Sequence, residues 1–338
     1  MRKIFAVLLS LMLLVTCAAS CGGAEEKKIN IVTTIFPIYD WVREVIGDDA
    51  PHVNITLLLD NGVDLHSYQP TAQDILAIST ADLFIYVGGE SDEWVEDVLK
   101  SSMNPELKAI NLVEAMGEDI KTEEIVEGME HDHDHEDHEH EEHEEHDASE
   151  EHDHNHEHED EADEHVWLSL RNARKLTKTI ADTLAEIDPG YADHYQDNAS
   201  AYIIRLEDLD SRYAETAGNS VYKTLLFGDR FPFRYLADDY GLTYYAAFTG
   251  CSAESEASFE TIVFLAQKTD ELGLPAVLTI EHPKTRIAET IVQNTSSKDQ
   301  KILVLDSMQG TTAADIQAGM TYLSVMEANL EVLKEALN

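Results

Sequence analysis

Short apolar runs alternate with amphipathic stretches along the first third of the chain. Four runs predict buried strands, at Ile29 to Ile35, Val53 to Leu59, Leu83 to Val87 and Ala109 to Leu112. Helical periodicity between these runs predicts helices at Phe36 to about Ile46, Ala72 to Ser79 and Trp94 to Leu99. Strands that alternate with helices at this spacing are typical of a parallel α/β sheet.

A second series of the same kind occupies the C-terminal third. Its apolar runs predict four more strands, at Thr224 to Phe227, Thr243 to Phe248, Ala276 to Ile280 and Ile302 to Leu305. Helical patterns lie between them, and a last helix is predicted from about Ala313 to Leu337. The chain is therefore expected to contain two similar α/β lobes with mainly parallel sheets.

One long helical pattern separates the two series. Asp188 and Pro189 supply an N-cap followed by proline at the first helical position. Apolar and aromatic residues then share one helix face: Tyr191, Tyr195, Tyr202, Leu206, Leu209 and Tyr213. A helix of about 25 residues would run nearly 40 Å, long enough to brace both lobes and to limit their movement. We therefore expect an N-terminal lobe over 29–189, a linker helix over 190–219 and a C-terminal lobe over 220–338.

The N-terminus has the pattern of an export signal. Arg2 and Lys3 precede an apolar run from Ile4 to Val15, which is too short to span a bilayer. The segment Ala18-Ala19-Ser20-Cys21 that follows resembles the lipobox of bacterial lipoproteins, which predicts that residues 1–21 carry the signal and that Cys21 is lipidated. Residues 22–28 would then tether the fold to the extracytoplasmic side of the cell membrane; a plain secreted protein is the alternative.

Cysteine usage excludes a disulfide framework. Cys17 and Cys21 fall in the signal region, so Cys251 would be the only ordinary thiol of the mature protein. It is either a small buried apolar residue or part of a site.

Charge is concentrated in one segment. Between Glu130 and His165 the sequence has 20 Asp or Glu, 12 His and no Lys or Arg, nearly half of the formal net charge of −44. This balance argues against nucleic-acid binding and favours cationic partners. Residues 130–164 have almost no apolar side chains, which predicts disorder without a ligand. Imidazoles two or three residues apart among carboxylates suit zinc, copper or nickel, and the absence of His-Glu-x-x-His from the run counts against a zinc-peptidase helix.

Two further histidines stand in ordered contexts. His66 lies in the block Asp64-Leu-His-Ser-Tyr-Gln-Pro-Thr71, just beyond a predicted strand, and His165 lies in Glu164-His-Val-Trp-Leu-Ser169, before a helix. Ligands of α/β folds gather outside the carboxyl ends of strands. Each histidine taken alone would more often be a surface or capping residue than a metal ligand.

The two blocks closely resemble the zinc and manganese ABC-transporter solute-binding proteins, cluster A-I, over about Ile29 to the C-terminus. The acidic His-rich run before the second block resembles the zinc-uptake members in particular. The resemblance implies two lobes joined by one rigid helix, with a metal ion held in the cleft and handed to a membrane permease. It also implies that His66 and His165 are the first two ligands.

The resemblance leaves the other ligands open. Zinc-binding relatives usually place a third His about a dozen residues before a Tyr-Gly-Leu block, and counting back from Tyr240 leads to Arg230, which cannot bind a cation. Candidates for its replacement are Asp229, Cys251 and Glu254.

Two carboxylates of the second lobe resemble acidic positions of the family. Asp306, after the last strand, resembles the carboxylate that manganese-type relatives supply. Glu281 resembles an acidic position common to both types, with a structural hydrogen bond at a strand end as its alternative.

The sequence thus predicts a monomeric extracytoplasmic binding protein that captures a divalent transition metal for an ABC importer permease. Zinc is preferred because of the His-rich run; manganese is the alternative cargo. A surface metal buffer or adhesin acting through the run is a second class of function. We see no independent nucleophile or general base, so we do not expect an enzyme.

Overall fold

Two parallel sheets form the framework of the protein. The computed structural model describes residues 28–48, 50–129, 161–252, 256–281 and 285–338. One sheet has the order β2-β1-β3-β4 and the other β6-β5-β7-β8, with all pairs parallel. The strands are β1 Ile29–Thr33, β2 Val53–Leu57, β3 Leu83–Tyr86, β4 Lys108–Asn111, β5 Thr224–Phe231, β6 Thr243–Thr249, β7 Ala276–Thr279 and β8 Lys301–Val304. The predicted fold class, two parallel α/β lobes with a long helix between them, is confirmed.

Helices cover both sheets and join them. The described residues form α1 Phe36–Ile46, α2 Ala72–Ser79, α3 Trp94–Lys100, α4 Leu112–Met116, α5 Leu170–Ile187, α6 Ala192–Asn219, α7 Arg234–Tyr240, α8 Phe259–Leu272, α9 Arg286–Asn294, α10 Ala313–Gln317 and α11 Tyr322–Ala336. None of the helices in this described part combines the length and apolar character needed to cross a bilayer.

The long helix α6 binds the two lobes into one core. It spans 28 residues after a short 3-10 turn at Pro189–Tyr191. Its buried face includes the predicted residues Tyr195, Tyr202, Leu206, Leu209 and Tyr213. The large hydrophobic cluster that contains these side chains also takes in strands of both sheets, so the core is continuous between the lobes. A smaller second cluster lies within the C-terminal lobe.

Three elements differ from the sequence prediction. Helix α6 begins at Ala192, and Asp188, the predicted N-cap, makes no side-chain capping bond before the 3-10 turn. The predicted last helix is wrong as one piece: α10 ends before Gly319, which has a φ of 95°, and Thr321 starts α11 with a capping box. Strand β5 runs on to Phe231, with a register shift between Phe227 and Arg230. This extension places Arg230 at the end of a central strand.

The boundary of the acidic run also needs correction. Residues 161–164 were predicted to belong to a disordered loop, but they pack against the fold: the Glu123 amide donates to Glu161 O at 2.8 Å, and Asp163 and Glu164 are each 2% exposed. This backbone pairing and burial hold residues 161–164 in place directly before the turn at His165. The predicted signal, the lipidation site Cys21 and the body of the run at 130–160 lie outside the described residues.

Candidate metal centre

Three potential metal ligands converge between the lobes. His66 Nε2 and His165 Nε2 are 3.2 Å apart, although 99 residues separate them in the chain. Cys251 joins them, and one ligand atom from each of the three residues lies within 4.8 Å of the other two. Both imidazoles and the thiol are ligands that Zn²⁺ prefers.

Local hydrogen bonds explain the block around His66. Asp64 caps the 3-10 turn Leu65–Ser67, because its Oδ1 accepts the amide hydrogen of His66 at 3.0 Å. Thr71 and Asp74 then form a capping box that starts α2. The turn and the cap together fix His66 just beyond the carboxyl end of β2.

The block around His165 is buried where the lobes meet. His165 is 0% exposed and precedes the 3-10 turn Val166–Leu168. Trp167 Nε1 donates to Ser307 O of the C-terminal lobe at 2.9 Å. A Cβ added at Gly250 would lie 2.9 Å from His165 Cε1, so glycine there allows the turn before Cys251 to approach the ring. The Trp167 hydrogen bond and the close approach of Gly250 thus place His165 against the second lobe.

Neighbouring side chains orient both rings. Asp163 Oδ1 accepts hydrogen bonds from the His165 amide at 2.8 Å and from His165 Nδ1 at 3.0 Å. A carboxylate can only accept, so this hydrogen bond uses a proton on Nδ1 and leaves Nε2 turned towards the cluster. His66 Nδ1 lies 2.7 Å from Ser91 Oγ, while the Ser91 amide donates to Glu164 Oε1 at 2.9 Å. Each ring therefore presents Nε2 to the site.

Burial sets the protonation of the ligands. Burial, and then the neighbouring His165, lower the pKa of His66 to about 3, so its ring is neutral near neutral pH. Burial, followed by the charge of Glu123, raises the pKa of the Cys251 thiol above its ordinary value. The thiol therefore keeps its proton near neutral pH, and any metal ion that bound the sulfur would have to displace that proton.

An acidic cavity of about 250 Å³ opens onto two of the ligands. It is lined by His66, Glu90, Ser91, Glu123, Glu161, Ala162, Glu164 and Cys251. Four of these eight residues are carboxylates and none is Lys or Arg, so the cavity favours a cation. Burial raises the pKa of Glu164, whose Oε2 lies 3.7 Å from His66 Nδ1.

Among the described residues, the predicted carboxylates Asp229, Glu281 and Asp306 are not part of this group. Asp306 Oδ1 accepts the Met308 amide hydrogen at 2.7 Å, and Asp229 Oδ2 accepts that of Ile280 at 3.3 Å. Glu281 accepts hydrogen bonds from the backbone amides of Ser307, Gln309 and Gly310, which fits its structural alternative. Glu254 lies outside the described residues. Ligation by these carboxylates stays a prediction.

Several residues around the site were not found from the sequence. Asp163 carried a usable signal, because it stands two residues before His165, within reach of that residue's own amide. Ser91 and Glu123 carried none, since only the folded chain brings them to His66 and Cys251. Arg230 was recognised only as a residue unable to bind metal; the structure pairs it with Asp64.

Comparisons with known proteins point to one family. A family model described as ZnuA, zinc-uptake complex component A periplasmic, matches residues 31–336. The zinc-binding lipoprotein AdcA of Streptococcus pneumoniae is 32% identical over 335 residues, which cover 99% of this chain but 61% of AdcA. The chain thus spans about three-fifths of that relative's length. The high-affinity zinc uptake system protein ZnuA of Bacillus subtilis is 29% identical over 338 residues, covering 99% of this chain and 97% of that protein.

Solved structures show the same fold. The Zn(II)-bound ZnuA-like domain of Streptococcus pneumoniae AdcA matches with a TM-score of 0.68 at 29% identity, over 92% of this chain and 99% of that one. The metal-dependent lipoprotein YcdH of Bacillus subtilis matches with a TM-score of 0.70 at 26% identity, over 92% and 99%. Because the family model covers nearly the whole described fold, the chain belongs to the ZnuA family of zinc-uptake complex components, which confirms the resemblance indicated by the two histidine blocks.

Proposed function

We propose that this protein captures one zinc ion between its lobes, outside the cytoplasm, and delivers it to an ABC importer permease. The observation that carries the proposal is the convergence of His66, His165 and Cys251, with their ligand atoms within 4.8 Å of one another. We propose these three residues as ligands, with a fourth position open to a carboxylate or to water.

The chemistry of the three ligands favours zinc over manganese. Nitrogen and sulfur donors suit Zn²⁺, whereas Mn²⁺ favours oxygen donors. The names of the relatives AdcA and ZnuA, zinc-binding and zinc uptake, point in the same direction. Manganese, the alternative cargo, would gain little from the Cys251 thiolate.

The setting of the protein is part of the proposal. We propose a monomer anchored to the cell membrane through lipidated Cys21, as the lipobox pattern predicts; relatives named as lipoproteins support an extracytoplasmic location. Its family is a metal-binding transport component, and we propose binding and release without catalysis.

Replacing both histidines tests the proposal. In a chain carrying His66→Ala and His165→Ala, calorimetry with Zn²⁺ should lose the single tight site, because two of three ligands are gone, while weak binding by the His-rich run remains. His194→Ala is the matched control, since His194 Nε2 bonds to Ile46 O at 2.9 Å, outside the ligand group. Unchanged tight binding in the double variant would refute the assignment, and tighter binding of Mn²⁺ than of Zn²⁺ by the wild type would refute the choice of cargo.

A further inference from the structure

Arg230 contacts both lobes beside the candidate metal centre. It stands near the end of β5, and its Nη2 forms an ion pair with Asp64 of the N-terminal lobe. Its Nη1 donates to Ser252 O at 3.3 Å. The side chains of Arg230 and Asp64 are only 11% and 13% exposed, so solvent screens this ion pair little.

The two partners of Arg230 belong to the turns that carry metal ligands. Asp64 Oδ1 accepts the amide hydrogen of His66, while its Oδ2 faces Arg230. Ser252 directly follows Cys251. One guanidinium therefore connects the turn that presents His66 with the turn that presents Cys251.

We propose that Arg230 is a positioning residue that holds these two turns in register across the cleft before a metal ion arrives. The inference rests on the proposed function and deepens it, because it says how ligands from different lobes are kept close. Arginine suits this role, since its planar fork donates in two fixed directions, whereas lysine offers a single flexible charge.

Burying the Arg230–Asp64 ion pair carries a desolvation cost that a purely apolar contact would avoid. Removing two charges from water is unfavourable, and apolar side chains at the same place could pack at least as stably. If the ligands are already held in place, less entropy is lost when a metal ion binds them, and the bound ion is released more slowly. The expected signature is therefore a faster zinc dissociation rate, with little change in the association rate, when Arg230 is replaced.

The first arm of the test uses the full chain without metal. Hydrogen exchange should accelerate in the peptides over 64–67 and 250–252 of Arg230→Gln and Asp64→Asn, because each substitution breaks the ion pair. Arg212→Gln is the matched control: Arg212 pairs with Glu327 at 3.0 Å between α6 and α11 and contacts neither turn. Unchanged exchange in both turns, in variants that keep the wild-type melting temperature, would overturn the proposal.

The second arm measures zinc kinetics with a fluorescent chelator as competitor. Arg230→Gln should release zinc about ten-fold faster, the lower end of the usual effect of groups that orient ligands, with the association rate nearly unchanged. Arg230→Lys, which keeps a positive charge for Asp64 and provides a folded variant if glutamine is not tolerated, should fall between it and the wild type. Loosened turns with an unchanged dissociation rate would overturn the positioning role. A wild type without any tight zinc site would instead overturn the proposed function, and the exchange arm would still report on the contact between the turns.

Discussion

Cys251 is the residue that most narrows the choice of cargo. Two histidines with carboxylates would accept zinc or manganese, and the sequence left Cys251 open as a small buried residue or a site residue. The structure places it with His66 and His165 and gives its backbone amide a partner, Glu123 Oε1, at 2.8 Å. A thiolate in the ligand group disfavours manganese.

Cys251→Ser should weaken zinc binding by about 100-fold, on the order of 2.7 kcal/mol, because a hydroxyl replaces a thiolate at nearly constant volume. Manganese affinity should change much less, since oxygen suits Mn²⁺ at least as well as sulfur. Chelator competition measures both affinities, and Co²⁺ loaded into the wild type should show a thiolate charge-transfer band that the variant lacks. A surviving band, or zinc affinity equal to the wild type, would contradict ligation by Cys251.

The sequence indicated the two histidines as candidate ligands more clearly than it indicated the roles of the carboxylates. His66 and His165 stand in blocks whose turns and caps are local, so the pattern is visible in the chain. Asp306 and Glu281 have the right residue type, yet the structure uses their oxygens to accept backbone amide hydrogens. Both uses need a carboxylate near a strand end, so the sequence pattern alone does not separate them.

At the scale of elements, a buried carboxyl joins the first and last helices. Asp40 of α1 is 2% exposed, and its Oδ2 accepts the amide hydrogen of Tyr322, the first residue of α11, at 2.8 Å. Burial is the main reason that the pKa of Asp40 is raised to about 6. This contact ties the N-terminal lobe to the C-terminal helix and makes it sensitive to pH.

Asp40→Asn should gain stability relative to the wild type as pH rises. The pKa of Asp40 goes from 3.8 to about 6 on folding, so the native state binds the proton more tightly than the unfolded chain. The contribution of protonated Asp40 to the unfolding free energy is therefore full below pH 4 and is lost as pH rises through 6. Asparagine keeps an acceptor for the Tyr322 amide without titrating. The difference in unfolding free energy should change by about 3 kcal/mol from pH 4 to 7, at 1.36 kcal/mol per pKa unit.

Urea denaturation at several pH values checks this expectation. Asp182→Asn is a control of opposite sign, because the hydrogen bond from Lys178 lowers the pKa of that exposed carboxyl. Its variant should lose stability relative to the wild type as pH rises. A difference for Asp40→Asn that does not vary with pH would contradict the burial argument.

The elements themselves were largely readable from the chain. The starts of α1 and α2 follow from Pro37 near the start of one and from the Thr71 cap of the other. Local chemistry of this kind is complete in the sequence. The last helix was misjudged because its apolar period continues across Gly319, and periodicity alone does not register a backbone at positive φ. The extension of β5 depends on pairing with β6, which is a tertiary effect.

At the scale of the whole molecule, the residues that flank the His-rich segment pair with each other. Thr122 and Ala162 form an antiparallel bridge, and the Asp163 amide donates to Lys121 O at 2.8 Å. Residues 121–123 and 161–163 thus pair with each other on either side of the segment. Glu123, Glu161 and Ala162 also line the acidic cavity that opens onto His66 and Cys251. Because this pairing does not involve residues 131–160, it should persist when a Gly-Ser connection replaces them.

Replacing residues 131–160 with a short Gly-Ser connection should leave the tight zinc site intact, because its ligands and the pairing at 121–123 remain. The melting temperature should stay close to that of the wild type, and calorimetry should show one tight site without the weak ones. Cells that carry the deletion should grow more slowly than wild type only at the lowest zinc concentrations. Cells that carry His66→Ala and His165→Ala should grow poorly at every limiting concentration. A matched chain with every histidine of 131–160 changed to Gln separates metal binding by the run from its length. If the deletion removed most zinc capture and the cleft variant did not, a surface buffer acting through the His-rich segment would be the better account of this protein.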